Sequence, residues 1–294
     1  MRSYIAISLV CACALLLESC GSAKYTANAE YPVPKVQYAA EGTLQEVFFP
    51  SSEPGMTSRH AYVYLPKEYS QSSERFPVLY LLHGARGNEC VWMEKGRLLQ
   101  KIDSLCACGD MRPTIVVLPN LNQYNDAADY GNARLKGALE SFFEVDGTVE
   151  SHFVSDVVAG TDSLFRTIPD KEHRAVAGLS IGAMQSIWLS ANSPDVFDYV
   201  GAFSPMVRSF TKRGPDRSFY RKLSKKQEVQ FATPPKLYIV MIGRIDFFHL
   251  HIAYWTRSLK RKGYPCSYVC TAGGHEWNTW QNFCCEFMKK LWKD

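Results

Sequence analysis

The sequence has almost no excess charge of either sign. Its 294 residues hold 33 Lys and Arg against 29 Asp and Glu, which gives a formal net charge of +4. So small an excess provides no electrostatic basis for binding a nucleic-acid backbone. The sequence also lacks an internal repeat and any boundary that would separate a second domain. We therefore expect a single folded unit.

Standard metal-binding spacings are missing as well. Cys266, Cys270 and His275 come close together along the chain, but their spacing matches no common zinc motif. Bridges from Cys266 or Cys270 to Cys284 or Cys285 are one option in an exported protein, and free buried thiols are the default. The body of the chain has an odd number of cysteines, so at least one is expected to stay unpaired within a single chain. We expect no metal and no organic cofactor. The cysteines of the body are Cys90, Cys106, Cys108, Cys266, Cys270, Cys284 and Cys285.

The first 36 residues differ in composition from the rest. A short basic start precedes the apolar run Ile5–Leu17, which is too short to span a bilayer comfortably, and Cys20 follows in a context that resembles a bacterial lipobox. We predict a lipoprotein signal peptide over 1–19, lipidation of Cys20, and a flexible tether over 20–36. The folded domain is expected over 37–294, anchored to the outer membrane on its periplasmic or its cell-surface side.

A Gly-x-Ser-x-Gly motif, Gly178–Gly182, lies between two differently patterned segments. Arg174–Ala177 is typical of the end of a buried strand, and Met184–Ser190 has the apolar spacing of a helix. A serine at a sharp turn from strand to helix needs glycine on both sides, because side chains there would crowd the neighbouring strand and helix. We interpret the motif as a nucleophile elbow. It would place Ser180 at a helix N-terminus, where the free N–H of Ile181 faces a developing negative charge.

A serine nucleophile needs a base to remove its proton, and the elbow motif calls for an acid and then a histidine further along the chain. Asp246 follows the apolar run Lys236–Ile242, and His275 follows the alternating run Cys266–Cys270. Both would lie at carboxyl ends of strands, the edge where open α/β sheets build their sites. We predict that His275 takes the proton of Ser180 and that Asp246 orients and stabilises the imidazole.

Other residues compete for these two roles. Asp195 and Asp198 come too soon after Ser180 to be the acid, and His249 and His251 are better explained as structural residues at a helix start. An ordinary loop carboxylate is the alternative interpretation of Asp246.

A second backbone donor is expected after the apolar strand Val78–Leu82. The segment that follows, His83–Gly87, contains three small residues and occupies the place where α/β-hydrolases put the second N–H of an oxyanion hole. We assign the two donors to the backbones of Ala85 and Ile181, and we expect His83 to support the loop.

Three further residues on the predicted edge of the site are candidates for contact with a substrate. Trp92 and Trp277 lie in segments that flank catalytic groups, and aromatic faces of this kind stack on sugar rings and phenolic acids. Arg86 follows the assigned oxyanion donor directly. An insertion with basic residues at four-residue spacing, Arg213 to Lys225, is either a solvated helix face or an attraction for an acidic substrate.

Six segments spread through the chain match the pattern of one family. Together they resemble the esterase D and feruloyl esterase group of α/β-hydrolases, which includes carbohydrate esterase family 1 and is related to enterochelin esterases. The segments are Tyr62–Pro66, Phe76–Gly84, Ile115–Asn120, His173–Ser180, Pro194–Phe197 and Gly273–Trp277. Two departures stand out, because Ala183 replaces a second glycine after the elbow and Ala85–Arg86 replaces a run of glycines.

The resemblance implies a single α/β-hydrolase domain, with a mostly parallel central sheet and helices on both faces. It also implies serine ester hydrolysis on Ser180, Asp246 and His275, with feruloyl or acetyl groups removed from plant cell-wall polysaccharide such as xylan through an acyl-enzyme. Two alternatives stay open at this point. One is an esterase of the enterochelin type that hydrolyses a siderophore lactone, and the other is a non-catalytic lipoprotein that binds glycans.

Overall fold

The structure of the chain, a computed structural model, describes residues 40–52, 58–85, 87–121, 150, 152–206 and 216–293, with the backbone alone over 216–220. The predicted signal peptide over 1–19, Cys20 and the tether over 20–36 lie outside these ranges. So does Arg86. None of the described helices has the length and apolarity that a membrane-spanning segment requires.

Eight strands form one sheet in the spatial order β1-β2-β4-β3-β5-β6-β7-β8. β2 pairs antiparallel with β1 and with β4, and every other neighbouring pair is parallel. The parallel strands therefore direct their carboxyl ends to a common edge. The strands are β1 Thr43–Pro50, β2 Ser58–Leu65, β3 Val78–Leu82, β4 Ile115–Pro119, β5 Arg174–Leu179, β6 Tyr199–Phe203, β7 Leu237–Gly243 and β8 Ser267–Thr271.

Helices cover both faces of this sheet. The side chains of α2, α3 and α8 pack on one face, and those of α5, α6 and α7 pack on the other. A π-helical turn at Val154–Val158 leads into α4 on the second face. The helices are α1 Lys67–Gln71, α2 Val91–Glu94, α3 Leu98–Ala107, α4 Ala159–Leu164, α5 Ile181–Asn192, α6 Asp216–Gln230, α7 His249–Arg261 and α8 Trp277–Met288.

The central strands are buried on both faces, which explains why they are continuous apolar runs. In β3, Val78 and Tyr80 pack under α5, whereas Leu79 and Leu81 pack under α3 and α8. A parallel sheet covered by helices on both sides requires apolar side chains at every position, so alternation disappears. The predicted fold, a single α/β-hydrolase domain with a mostly parallel sheet and helices on both faces, is confirmed.

The seven described cysteines are all free thiols. Cys266 and Cys270 belong to the face covered by α5 and α7, while Cys284 and Cys285 belong to the opposite face. The sheet therefore separates the two pairs that an exported protein could have bridged. Burial raises the pKa of the Cys266 thiol to about 12, which keeps it protonated and inert.

Candidate active site

Ser180 occupies the turn between β5 and α5 with a strained backbone. Its φ and ψ are 54° and −113°, in a region that a residue with a side chain rarely adopts. The Ser180 N–H donates to the carbonyl of Phe203 at 2.8 Å, so the turn is still hydrogen-bonded to β6. That bond holds the serine at the sheet edge and compensates for part of the strain.

The two glycines of the motif are required by close approach. A Cβ on Gly178 would lie 2.6 Å from the carbonyl carbon and oxygen of Gly182, and a Cβ on Gly182 would overlap the carbonyl oxygen of His83. Both distances are shorter than real Cβ contacts, so neither position accommodates a side chain without a backbone shift. The elbow is therefore packed directly against the loop that follows β3.

Ser180, His275 and Asp246 form a continuous pair of hydrogen bonds. The Nε2 atom of His275 lies 3.0 Å from Ser180 Oγ, and its Nδ1 atom lies 2.9 Å from Asp246 Oδ2. An ionised carboxylate can only accept, so Nδ1 carries the ring proton and the Nε2 lone pair faces the serine hydroxyl. The structure thus brings together the three residues that the sequence predicts as a triad, in the tautomer that a general base requires.

Asp246 is held as tightly as the histidine that it orients. Its side chain is buried, and Oδ1 accepts from the N–H of Phe248 at 2.9 Å. Its own N–H donates to the carbonyl of Gly243 at 3.1 Å, which closes the turn after β7. One carboxylate oxygen is therefore occupied by the backbone, and only the other is available to the imidazole.

The loops that carry the acid and the histidine are joined to each other. The N–H of Arg244 donates to Thr271 O at 2.8 Å, and that of Ile245 donates to Gly273 O at 3.1 Å. A Cβ on Gly243 would overlap the Gly273 carbonyl. This backbone contact fixes the distance between Asp246 and His275 independently of their own hydrogen bond.

Three aromatic rings surround the imidazole of His275. Their centroids lie 4.6 Å (Phe247), 5.6 Å (Phe248) and 4.8 Å (Trp280) from its own. Trp280 is buried, whereas Phe247 is 45% exposed, so the imidazole contacts one ring of the core and one ring that solvent reaches. No motif of the sequence marks Phe247, although a bulky apolar residue directly after a catalytic acid in a surface loop is a usable signal.

The loop after β3 contains the second predicted donor, Ala85. His83 fixes its start: Nδ1 donates to Gly84 O at 2.8 Å, and Nε2 accepts from the Leu121 N–H at 3.0 Å. Burial lowers the pKa of His83, so the ring stays neutral as this pattern requires. The predicted supporting role of His83 is confirmed. A Cβ on Gly84 would overlap the side chain of Leu179, which places the loop against the elbow.

The two tryptophans predicted to contact a substrate occupy different environments. Trp92 is 2% exposed, and its Nε1 donates to Leu82 O at 3.0 Å. Its ring contacts Trp277 edge to face at 5.4 Å. The prediction for Trp92 therefore needs correction, because the indole N–H is satisfied within the core. Trp277 is half-buried and rests on Trp92.

The competing residues lie elsewhere or have other partners. The N–H of Asp198 donates to Arg174 O at the amino end of β5, which is the sheet edge opposite Ser180. The Nε2 atom of His249 lies 3.5 Å from Cys270 Sγ. Within the described ranges, no group of three His, Cys, Asp or Glu side chains is arranged to hold a metal ion.

A family model described as "Putative esterase" matches residues 52–286. This chain belongs to that esterase family. Among curated relatives of this esterase is the endo-1,4-beta-xylanase/feruloyl esterase of Xylanibacter ruminicola, 32% identical over 195 residues, 63% of this chain and 25% of the relative. The chain spans between 12% and 38% of the length of the curated relatives that it matches.

Solved structures agree with the fold of this esterase. A ferulic acid esterase gives a TM-score of 0.68 at 24% identity, over 85% of this chain and 97% of the other. The enterobactin esterase of Shigella flexneri gives 0.64 at 14% identity, over 86% of this chain and 60% of the other. At these identities the similarity establishes the α/β-hydrolase architecture and not a substrate.

We expect Gly182→Ala to lower ester hydrolysis by about 100-fold, because displacing catalytic groups by roughly 1 Å has an effect of that size. The added methyl group must move the carbonyl of His83 or the elbow itself. The measurement is kcat/KM on a small phenolic ester. Ala183→Gly is the matched control, since it removes a methyl group at the next position and should retain most activity. Full activity in Gly182→Ala would contradict the packing described here.

Proposed function

We propose that this chain is a serine esterase that removes feruloyl groups, and with lower efficiency acetyl groups, from plant cell-wall polysaccharide such as xylan. The observation that carries the proposal is the hydrogen-bonded series Ser180–His275–Asp246 at the carboxyl edge of the sheet. Membership of an esterase family and the relation to a xylanase/feruloyl esterase support the reaction and the substrate class.

The reaction begins with the ester carbonyl beside Ser180 Oγ. His275 Nε2 takes the hydroxyl proton as Oγ attacks, and the carboxylate of Asp246 stabilises the imidazolium that forms. The carbonyl oxygen gains negative charge, which the backbone N–H groups of Ile181 and Ala85 would stabilise, with the positive end of α5 behind Ile181. His275 then returns the proton to the sugar oxygen, and the alcohol leaves.

The second half of the reaction hydrolyses the acyl-enzyme. A water molecule takes the place of the sugar, His275 removes its proton as the oxygen attacks the acyl carbon, and the same two N–H groups stabilise the second oxyanion. The oxyanion then collapses, the bond between the acyl carbon and Ser180 Oγ breaks, and His275 returns the proton to Oγ as the free acid leaves. Side chains, backbone N–H groups and water supply every group that this route requires.

The surface beside His275 favours an aromatic acyl group over a small one. Phe247 exposes one side of its ring while its other contacts are with the imidazole and Phe248. Ile245, one residue before the acid, is also largely exposed. An aromatic acid could stack on Phe247 and bury apolar area that an acetyl group cannot cover.

Ser180→Ala should abolish turnover of methyl ferulate, with a loss of about 10⁴-fold or more in kcat, because it removes the nucleophile. The assay compares methyl ferulate, acetylated xylan and a catecholate trilactone with the parent and the variant. Ser190→Ala is the matched control, since its buried hydroxyl bonds within α5 to Ile187 O. Turnover that survives in Ser180→Ala would remove the serine mechanism, and turnover of the trilactone alone would favour a siderophore substrate.

Phe247→Ala should lower kcat/KM for methyl ferulate by about tenfold, the loss expected for roughly 1.4 kcal/mol of stacking and burial. Hydrolysis of an acetyl ester should change much less, so the measurement is the ratio of the two specificity constants. Leu164→Ala, at an exposed apolar residue at the end of α4, is the control and should leave the ratio unchanged. Equal losses on both esters would show that Phe247 supports His275 and does not contact the acyl group.

We also propose that the chain is exported and lipidated on Cys20, on the basis of the apolar run Ile5–Leu17 and the lipobox-like context. The Cys20→Ser variant, expressed in a bacterium fed radiolabelled palmitate, should lose the label and move from the detergent phase to the aqueous phase. Label retained in the variant would exclude Cys20 as the modified residue.

A further inference from the structure

His60, on β2, lies between two carboxylates that come from different parts of the chain. Its Nδ1 atom is 2.5 Å from Glu89 Oε1, and its Nε2 atom is 2.8 Å from Glu46 Oε1. Glu46 belongs to β1, and Glu89 belongs to the loop between β3 and α2. The imidazole therefore joins the antiparallel edge of the sheet to the loop that contains Ala85.

This arrangement requires the imidazolium form of His60. Both partners accept hydrogen bonds, and a neutral ring has only one N–H to donate. Burial lowers the pKa of His60, but the hydrogen bonds and charges of Glu89 and Glu46 outweigh it and raise the pKa above the usual value. Phe48 stacks on the ring at 4.6 Å and Tyr62 contacts its edge at 5.4 Å.

Glu89 depends on this cation. The residue is 7% exposed, and its Oε2 atom has no hydrogen-bond partner among the described residues. Among the described residues, two titratable neighbours of Glu89 supply no positive charge at neutral pH, because burial lowers the pKa of His83 and raises that of the Cys90 thiol to about 12. A buried carboxylate with one cationic partner is destabilised strongly when that partner loses its charge.

The loop with Glu89 at one end has Ala85 near the other. A turn closes between them, with the Gly87 N–H donating to Gly84 O at 3.0 Å, and Asn88 Oδ1 accepts from the Cys90 N–H at 2.9 Å. His60 also acts through its backbone, because its carbonyl accepts from the Asn120 N–H at 2.8 Å. Because the loop is short and hydrogen-bonded within itself, a displacement of Glu89 would also displace the residues of the loop that contact the elbow.

We propose that protonated His60, held between Glu46 and Glu89, is a positioning residue that keeps the loop of Ala85 in the shape needed for the oxyanion hole. The proposal rests on the proposed esterase function for the role of Ala85. It adds a residue that touches neither substrate nor the triad and acts on catalysis through Glu89.

A pH dependence follows from the direction of this shift. Below the raised pKa of His60 both contacts are intact. As the pH rises through that value, one ring nitrogen becomes a lone pair facing a carboxylate, so His60 can donate to only one of Glu46 and Glu89, and the positive charge beside the buried Glu89 is lost. Activity should therefore fall as the pH rises through the raised pKa of His60, which is the direction opposite to the loss that protonation of a general base causes.

The test uses two variants of the full chain. His60→Ala should lower kcat on methyl ferulate by about tenfold with little change in KM, since removing a whole oxyanion donor costs about 100-fold or more. It should slow the phosphonylation of Ser180 by a fluorophosphonate by the same factor, because that reaction places a P–O oxygen in the same hole. Glu46→Gln should keep the activity at neutral pH and flatten the alkaline fall, because an amide can donate to a neutral ring nitrogen.

The control is His173→Ala, which removes another histidine that contacts a carboxylate, Asp170, at 2.7 Å beside the amino end of β5. It should change neither rate. Unchanged kcat and labelling in His60→Ala, or an unaltered alkaline fall in Glu46→Gln, would overturn the proposal. If His60→Ala does not fold, Glu46→Gln decides alone. A parent that is labelled but hydrolyses no ester in the panel contradicts the proposed substrate, while the labelling rates still test His60.

Discussion

The contact between Gly182 and the carbonyl of His83 is the constraint on which the site depends. It brings the elbow after β5 and the loop after β3 within backbone contact, so two segments almost a hundred residues apart in sequence share one small volume. The strained φ of Ser180 persists because the sheet on one side and this loop on the other leave the backbone no alternative. The same contact decides where an oxyanion can sit, because both predicted donors belong to the two segments in contact.

Two histidines near this contact, His275 and His60, differ in when they carry a positive charge. Asp246 is buried, and one of its oxygens is satisfied by a backbone N–H, which leaves a single oxygen for His275. The imidazole of His275 takes up the proton of Ser180 only as the reaction proceeds. His60 is the opposite case, because it is already charged before the reaction begins, and its two N–H groups donate to the carboxylates of Glu89 and Glu46. One histidine thus gains a proton during turnover, and the other has to keep its proton throughout.

Much of this site could be predicted from local sequence. β3 matches its predicted bounds and β7 matches to within one residue, because buried parallel strands are apolar at every position and end at glycine or polar residues. β8 also matches to within one residue, although it was predicted from alternation and its residues are half-buried or exposed. The triad followed from the order of residues after those strands. Trp92 could not be placed, because burial of an aromatic ring depends on the helix packed over it and not on its neighbours in the chain. The role of His60 could not be predicted from the sequence either, because its partners Glu46 and Glu89 lie 14 and 29 residues away and belong to no periodic pattern.

The position of β8 at the edge of the sheet affects how stably His275 is held beside Ser180. Among the described strands β8 pairs with β7 alone, its residues are half-buried or exposed, and the loop beyond it carries His275. Edge strands of this kind open at lower free energy than central strands, whereas Ser180 follows a strand paired on both sides. The nucleophile and its base therefore belong to parts of the fold with different local stability. Detachment of β8 would separate His275 from Ser180 and would leave in place the elbow, which follows a strand paired on both sides.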